Sequence, residues 1–237
     1  MPTIIFIESS FDFISEKGFT QMRARHFALL LAAAGMFPAA AADNVAARLG
    51  KAVTVLNSLT GDKNGIRQDQ IASADCVAVI PGFKKGAAVI GVGYGRGFIF
   101  CRTGNGWSAP GAVTLESSSL GVQVGGEQID IVILSLDKAR REKLLSERFT
   151  VGSDASAAWG NGKSAHDDPN AKILFFGRTS GIFAGFGLDG ASLTIDESSN
   201  KALYGKSITN REVVEGGTDT PAVAKPLVAK LSSVTNP

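Results

Sequence analysis

Four basic side chains lie within or beside a glycine-rich segment, and together they could bind a phosphate group. They are Lys84, Lys85, Arg96 and Arg102. Cationic side chains hold phosphate through charge-assisted hydrogen bonds, and backbone N–H groups exposed beside glycine add further donors. The same residues would also suit the solvated edge of a β-sheet, where lysine discourages aggregation between strands. The residue types alone leave both interpretations open.

The glycines among these cations recur at every second position of the segment GVGYGRG. They are Gly91, Gly93, Gly95 and Gly97. A dinucleotide-binding loop needs the spacing GxGxxG at a turn from strand to helix, whereas the strand-like segment FIF follows here. A spacing of two is the side-chain period of a β-strand, so we predict a bent strand that is bare on one face and binds no nucleotide. Gly185 and Gly187 predict a second glycine-strand surface.

Patterns typical of catalysis or metal binding are weak in this chain. Ser135 and Lys138 match the motif SxxK, but a capped helix start after a strand explains them as well. His166 is the only histidine after residue 42, in a polar loop. One histidine and two cysteines cannot supply the four ligands of a typical structural zinc site. We therefore predict no catalytic residues, no metal and no cofactor, and a protein that is not an enzyme.

The N-terminal residues have the features of a secretory signal peptide. From Met22, the segment MRARHFALLLAAAGMFPAAAADN joins a basic start to a short apolar run and then to small residues. Such a run is too short for a stable bilayer anchor. We predict that translation starts at Met22, that cleavage follows Ala41 or Ala42, and that residues 43–237 form a single domain with a C-terminal helical tail. The alternative is a long N-terminal extension. An exported product would be periplasmic or secreted.

The charge balance limits the classes of partner. The 237 residues include 24 Lys and Arg against 22 Asp and Glu, a net charge of +2, and the predicted leader removes equal numbers of each sign. This balance does not favour general nucleic-acid binding, so an anionic partner must meet a local patch. In an oxidising compartment Cys76 and Cys101 could pair across two strands. The alternative is two buried free thiols.

Hydrophobic periodicity predicts strands between helical ends. Residues 43–59 carry an apolar face at helical spacing, with Asp43 as the N-cap. Residues 76–80 predict a buried strand closed by Pro81 and Gly82, and residues 137–148 predict a charged amphipathic helix. Further strands are predicted over residues 86–102, 112–124, 128–135, 173–177 and 182–195, and a C-terminal helix within residues 220–234. No βαβ unit occurs. We predict an α+β fold with a mainly antiparallel, strongly bent or barrel-like sheet of about six or more strands, flanked by N- and C-terminal helices.

Four segments resemble, in the same order, the SYLF domain family, which is also named a yeast-type actin-binding domain. They are IPGFKKGAAVIGVGYGRGFIFCR, GWSAPGAVTL, LGVQVGGEQIDIVIL, and SGIFAGFGLDGASLTID with NKALYGKS. The resemblance implies a lipid-binding domain: eukaryotic members bind phosphoinositide-rich membranes, some bind actin filaments, and exported bacterial members are thought to bind phospholipid. Lys84, Lys85 and Arg96 match the family's basic and glycine-strand positions.

The resemblance implies a non-enzymatic module of the bacterial envelope that binds phospholipid or a membrane surface, with no nucleic acid or nucleotide as partner. In this hypothesis Lys84, Lys85, Arg96 and Arg102 contact headgroup phosphates, and acyl chains or a partner helix lie against the glycine faces. The alternative is a structural or scaffolding domain without a lipid ligand, whose glycine strands merely bend the sheet. Actin is not expected as the partner of an exported protein.

Overall fold

In the part of the chain that the computed structural model describes, nine strands form one sheet. The structure describes residues 44–63, 65–87, 90–104, 106–120, 125–151, 157–159, 172–179 and 190–235. The predictions for the leader, for His166 and for Gly185 and Gly187 lie outside these residues. The part that follows the predicted leader, Asp43–Pro237, is one compact unit.

The sheet is almost wholly antiparallel and curls into a half-barrel. Its strands are β1 (Cys76–Ala87), β2 (Ile90–Thr103), β3 (Gly106–Trp107), β4 (Gly111–Leu120), β5 (Gly125–Ser135), β6 (Arg148–Thr150), β7 (Ala157–Trp159), β8 (Ile173–Thr179) and β9 (Ser192–Ile195). Their order is β6-β9-β4-β2-β1-β5-β8-β7, and β3 pairs with β2. Among the described pairs, β7 with β8 is the parallel one. The predicted α+β class with a bent antiparallel sheet is confirmed.

Helices lie at both ends of the described chain. They are α1 (Val45–Gly61), α2 (Gln68–Ser73), α3 (Arg141–Leu144), α4 (Glu197–Tyr204), α5 (Asn210–Glu215) and α6 (Lys225–Thr235), with 3-10 turns at Lys138–Arg140 and Ala222–Ala224. Asn44, rather than Asp43, caps α1, because its side-chain oxygen accepts hydrogen bonds from the N–H groups of Ala46 (2.9 Å) and Ala47 (3.3 Å). The helix predicted over residues 137–148 is wrong at its end, since Arg148 already begins β6.

The sheet has two buried faces. On the helical face, Val77, Val79, Phe98 and Phe100 join a hydrophobic cluster with α1, α2 and α6. On the opposite face, a second cluster gathers alternate residues of the same strands, including Cys76, Ala78, Ile80, Phe83 and Ile99. This alternation follows from the side-chain period of two. Five strands, β1, β2, β4, β5 and β8, therefore contribute to both cores.

A bulge in β1 shifts its register against β2. Val79 pairs with Phe98, but Lys84 pairs with Tyr94, so one extra residue of β1 lies between these pairs. Gly82, within the bulge, has a positive φ of 62°, which favours glycine. Its N–H donates to the Asp130 carboxylate at 2.8 Å. The prediction that Pro81 and Gly82 close the strand is therefore wrong: a bulge redirects the strand without ending it.

The bulge also explains the glycines of β2. A Cβ atom at Gly95 would lie 2.7 Å from Ile80 Cγ2 and 2.9 Å from Phe83 Cδ2, and one at Gly97 would lie 2.8 Å from Ile80 Cα. Phe83 is fully buried. The bare face of the strand is thus covered by β1 itself. Over Gly93, Gly95 and Gly97, the expected acyl chain or partner helix is replaced by side chains and backbone of the neighbouring strand.

Cys76 and Cys101 are directly paired residues of β1 and β2, and they are joined by a disulfide. Both lie in the hydrophobic cluster of the opposite face. A covalent link between residues separated by 25 positions in sequence restricts the unfolded chain, which stabilises the fold by about 3 kcal/mol. The two strands are thus fixed together at the end of the sheet away from Lys84 and Tyr94.

Replacing Gly97 with alanine should destabilise the fold by about 1–3 kcal/mol, because the new methyl group meets β1 backbone, which cannot rotate away. Gly50→Ala is the matched control. A Cβ at Gly50, in the middle of α1, meets nothing within 4 Å, so this change should stabilise the protein by about 0.5–1 kcal/mol. Urea unfolding measures both. A neutral Gly97→Ala would refute the close approach of β1 as the reason for the glycine row.

Candidate functional site

The two adjacent lysines of β1 lie on opposite faces of the sheet. Lys84 pairs with Tyr94 and is exposed, whereas Lys85 pairs with Gly93 and is half-buried. Consecutive residues of a strand point to opposite sides, so these lysines cannot contact one headgroup at one surface. Only Lys84 lies on the helical face. The sequence motif KK is therefore two separate features in the structure.

Lys84 belongs to a row of exposed side chains that crosses four strands. Successive neighbours in this row are directly paired: Gln128 with Lys84, Lys84 with Tyr94, and Tyr94 with Glu116. Directly opposite residues have their side chains on the same face. All four are exposed, whereas Phe98 on the same face of β2 is fully buried in the cluster that includes α1. The row thus lies beyond the part of the sheet that the helices cover.

We call the surface formed by Lys84, Val92, Tyr94, Glu116 and Arg148 the Tyr94 patch. Val92 is 60% exposed and Tyr94 51% exposed, the highest values for large hydrophobic side chains among the residues that the structure describes. Beside them lies an open groove of about 390 Å³, to which Arg148 of β6 contributes. Two serines on this face, Ser118 of β4 and Ser192 of β9, line the same groove. Ser117 also lines it, but its hydroxyl lies towards Gly93 on the opposite face. Apolar groups, a cation and hydroxyl donors therefore meet at one surface.

Arg96 lies on the same face as Lys84, but its charge is engaged within the protein. Its Nε and Nη2 atoms donate to the two carboxylate oxygens of Asp196 at 2.6 and 2.7 Å, and Nη2 also donates to Ser198 Oγ at 2.6 Å. Arg48 of α1 approaches the same carboxylate at 3.5 Å. A bidentate pair of this kind is among the stronger charge-assisted contacts. Arg96 therefore holds parts of the fold together, and its role at a headgroup stays a prediction.

The Asp196 carboxylate stays charged although it is buried. Burial acts to raise the pKa of this group, but hydrogen bonds from Arg96, Ser199 and Ser198 outweigh that effect and hold the pKa well below its usual range. The same carboxylate caps α4 by accepting from the Ser199 N–H at 3.0 Å. One acid thus links β2, α1 and α4.

Arg102 lies at the other end of β2, roughly 26 Å along the strand from Tyr94. Its guanidinium donates to the carbonyl oxygens of Ala72 (3.0 Å) and Ala74 (3.3 Å) and lies 4.5 Å from the centre of the Trp107 ring. These contacts fasten α2 to the end of the sheet. The four predicted cations therefore do not form one site, and only Lys84 belongs to the Tyr94 patch.

Sequence reasoning missed Arg148 and Glu116. Arg148 was included in the helix predicted over residues 137–148. The apolar residues Phe149 and Val151 that follow it alternate as in a strand. Glu116 occupies a polar position in the predicted strand over residues 112–124, and only the pairing of Tyr94 with it shows that it faces the same surface.

The sequence patterns that only weakly suggested catalysis or metal binding have structural explanations. Ser135 is buried, and Asp137 after it accepts from the Ala139 N–H at 2.9 Å, so the SxxK segment is a capped turn. Within the described ranges, no three His, Cys, Asp or Glu side chains come together in a way that could hold a metal ion. Of the helices that the structure describes, none combines the length and apolar character needed to cross a bilayer.

Comparison with known proteins points to one family. The family model described as Ysc84, Las17-binding protein actin regulator, matches residues 116–234, just over half of the chain. SH3 domain-containing YSC84-like protein 1 of Xenopus laevis is 31% identical over 198 residues, covering 80% of this chain and 59% of the relative. Protein YSC84 of Saccharomyces cerevisiae is 30% identical over 206 residues, covering 77% of this chain and 42% of the relative.

The human SH3 domain-containing YSC84-like protein 1 is 29% identical over 197 residues, covering 80% of this chain and 57% of the relative. The chain thus spans about two fifths to three fifths of the length of these relatives. No solved structure matches the chain significantly.

Replacing Asp196 with asparagine should lower the unfolding free energy by about 3 kcal/mol at neutral pH, because the buried Arg48 and the partly buried Arg96 lose their counter-charge. The folded-state pKa lies below the unfolded value of about 3.9, so the stabilisation is complete above that value and is lost as the pH falls towards the folded pKa. The difference in unfolding free energy between wild type and variant should therefore become smaller below about pH 4.

The matched control is Asp219→Asn, at an exposed position. It should leave both the stability and its pH dependence unchanged. Urea unfolding across a pH series measures these values. If the difference in unfolding free energy between wild type and Asp196→Asn did not change with pH, the ion-paired, charged state of Asp196 would be contradicted.

Proposed function

Because the chain belongs to the Ysc84 family, known also as the SYLF domain, we propose that it is a non-enzymatic module that binds phospholipid headgroups at a membrane surface. The binding surface is the Tyr94 patch. Members of the family are binding and adaptor domains, and the family model takes its description from a Las17-binding actin regulator. The phospholipid partner is our inference from the patch, together with the resemblance of the sequence to lipid-binding members.

The observation that carries this proposal is the exposure of Val92 and Tyr94 beside two cations. Exposed apolar side chains next to each other mark interaction surfaces. A tyrosine suits the membrane interface, because its ring enters the apolar zone while its hydroxyl stays hydrated. Lys84 and Arg148 flank these two residues, and their long side chains can reach phosphates in the headgroup layer.

Lipid is bound at the surface in this proposal, and not inside the half-barrel. The glycine face of β2 is already filled by Ile80 and Phe83, which leaves no space there for an acyl chain. The interface therefore resembles that of a peripheral protein, in which side chains enter the headgroup region. Affinity would come from a few apolar contacts and a few cations.

A second candidate is a protein-interaction domain without a lipid ligand. The filled glycine face favours it, since a scaffold needs no internal cavity. The description of the family by Las17 binding and actin regulation favours it as well. Vesicle binding distinguishes the two candidates, because a pure protein-interaction domain should not sediment with any phospholipid.

The place of action that we propose is the periplasm or another exported compartment, with peripheral attachment to the envelope. The signal-peptide pattern from Met22 and the Cys76–Cys101 disulfide support this location, because structural disulfides persist in oxidising compartments.

Expression of the full chain in its native host should yield a product that begins near Asp43 and is recovered in the envelope or periplasmic fraction. N-terminal sequencing and fractionation measure this outcome. A thiol-alkylating reagent should not label the unreduced protein, as judged by non-reducing electrophoresis. A cytoplasmic product that retains residues 1–42 would contradict the proposed location.

Co-sedimentation with vesicles of phosphatidylethanolamine and phosphatidylglycerol should show binding by the wild type. Val92→Ser and Tyr94→Ala should each weaken binding about fivefold, because each removes a large part of one apolar contact. Lys84→Ala and Arg148→Ala should weaken it by a similar factor at low salt and by less at high salt.

Two matched controls test the location of the surface. Val223→Ser changes an exposed valine (43%) outside the patch, and Lys138→Ala changes an exposed lysine beyond the far end of β5. Both should bind as the wild type does. If the wild type bound none of these vesicles, the lipid proposal would fail and the protein-interaction candidate would replace it.

A further inference from the structure

The groove beside Tyr94 carries opposite charges. Glu116 of β4 and Arg148 of β6 both line it, and both are exposed. Neither side chain forms a hydrogen bond or ion pair with another residue that the structure describes. A surface built for phosphate alone would not hold a carboxylate at this place, because that charge repels the ligand. The groove therefore differs from a simple basic patch.

The Arg148 side of the groove suits a phosphate. The guanidinium fork matches phosphate oxygens and can donate two parallel hydrogen bonds. The hydroxyl groups of Ser118 and Ser192, on the same face as Arg148, can donate further. These groups can bind any phosphomonoester or phosphodiester, and they do not by themselves select one headgroup.

The Glu116 side suits an ammonium group. Glu116 is directly paired with Tyr94, so its carboxylate and the tyrosine ring stand side by side on one face. A carboxylate accepts hydrogen bonds from an ammonium, and the face of an aromatic ring attracts the same cation. A primary ammonium can use both contacts.

The sheet register sets the distance between the two sides. Glu116 pairs with Ser192, Ser192 pairs with Thr150, and Arg148 lies two positions before Thr150 on β6. Strand spacing places the Cα atoms of Glu116 and Arg148 about 12 Å apart. Two long side chains that reach into the groove from these positions leave room between them for a phosphate joined to an ammonium by two carbons.

We infer that the groove selects a phospholipid headgroup with both a phosphate and a primary ammonium, as in phosphatidylethanolamine. The phosphate binds Arg148 and the groove serines, and the ammonium binds Glu116 beside Tyr94. This inference rests on the proposed phospholipid binding and adds the identity of the headgroup. A headgroup with a phosphate and no ammonium, as in phosphatidylglycerol, leaves Glu116 unpaired next to the anion.

The test uses protein purified after expression of the full chain, with soluble dihexanoyl forms of phosphatidylethanolamine and phosphatidylglycerol below their micelle concentrations. Monomeric lipids separate headgroup recognition from the packing of a bilayer. NMR titration should show shifts at Gly190 and Ser192 and about fivefold tighter binding of the ethanolamine form, the ratio typical of one exposed ion pair. Glu116→Gln should abolish this preference and leave binding of the glycerol form equal or stronger. Glu142→Gln, at an exposed glutamate in α3, should retain the preference.

The outcomes separate this inference from the proposed function. Wild-type binding of phosphatidylglycerol equal to or tighter than that of phosphatidylethanolamine overturns the inference, while vesicle binding through the patch still stands. A preference that survives in Glu116→Gln also overturns it. Absence of binding to both soluble lipids and to mixed vesicles overturns the inference and the proposed function together.

Discussion

The approach of the β1 bulge to the glycines of β2 determines both the curvature of the sheet and the exposed surface at its end. Without the extra residue of the bulge, the register that pairs Val79 with Phe98 would pair Lys84 with Gly93, on the opposite face. A one-residue slip reverses the side to which every following side chain points. The bulge instead turns Phe83 onto the glycines and turns Lys84 outwards beside Tyr94. Glycine is needed because any side chain there would occupy the space that β1 fills.

Asp196 provides the second constraint, because it decides which part of the helical face is covered. Its carboxylate receives Arg96 from β2 and Arg48 from α1, and it caps α4. The Arg48–Asp196 ion pair, in which both side chains are about 5% exposed, gains little net stability over apolar packing, yet the loss of one partner is costly. Its specific contribution is to position α1. This helix is held over Phe98, and it does not extend over Tyr94, which stays exposed. The exposed row follows from where that helix is held.

The sequence was sufficient for the fold class and insufficient for the site. Periodicity of two and of 3.6 identifies strands and helices locally, which is why the α+β class and the flanking helices were predictable. The bulge was not predictable, because Pro81 and Gly82 are equally compatible with a turn, and only the pairing of β1 with β2 and β5 distinguishes the two. The helix predicted over residues 137–148 failed at Arg148 because its charges suit a helix, whereas pairing with β9 makes a strand.

The partners of the cationic side chains show why residue type alone could not locate a binding surface. The guanidinium of Arg96 is bound within the fold by the buried carboxylate of Asp196. The guanidinium of Arg102 is bound within the fold as well, because it donates hydrogen bonds to carbonyl groups at a helix end. Both lie in a segment whose sequence resembles the SYLF domain family, so that resemblance does not separate the two roles. The distinction is where the counter-charge lies. Lys84 and Arg148 have no acid bound to them among the described residues, and they flank exposed apolar groups. A search for binding surfaces in this family should therefore start from cations that the fold leaves without a partner.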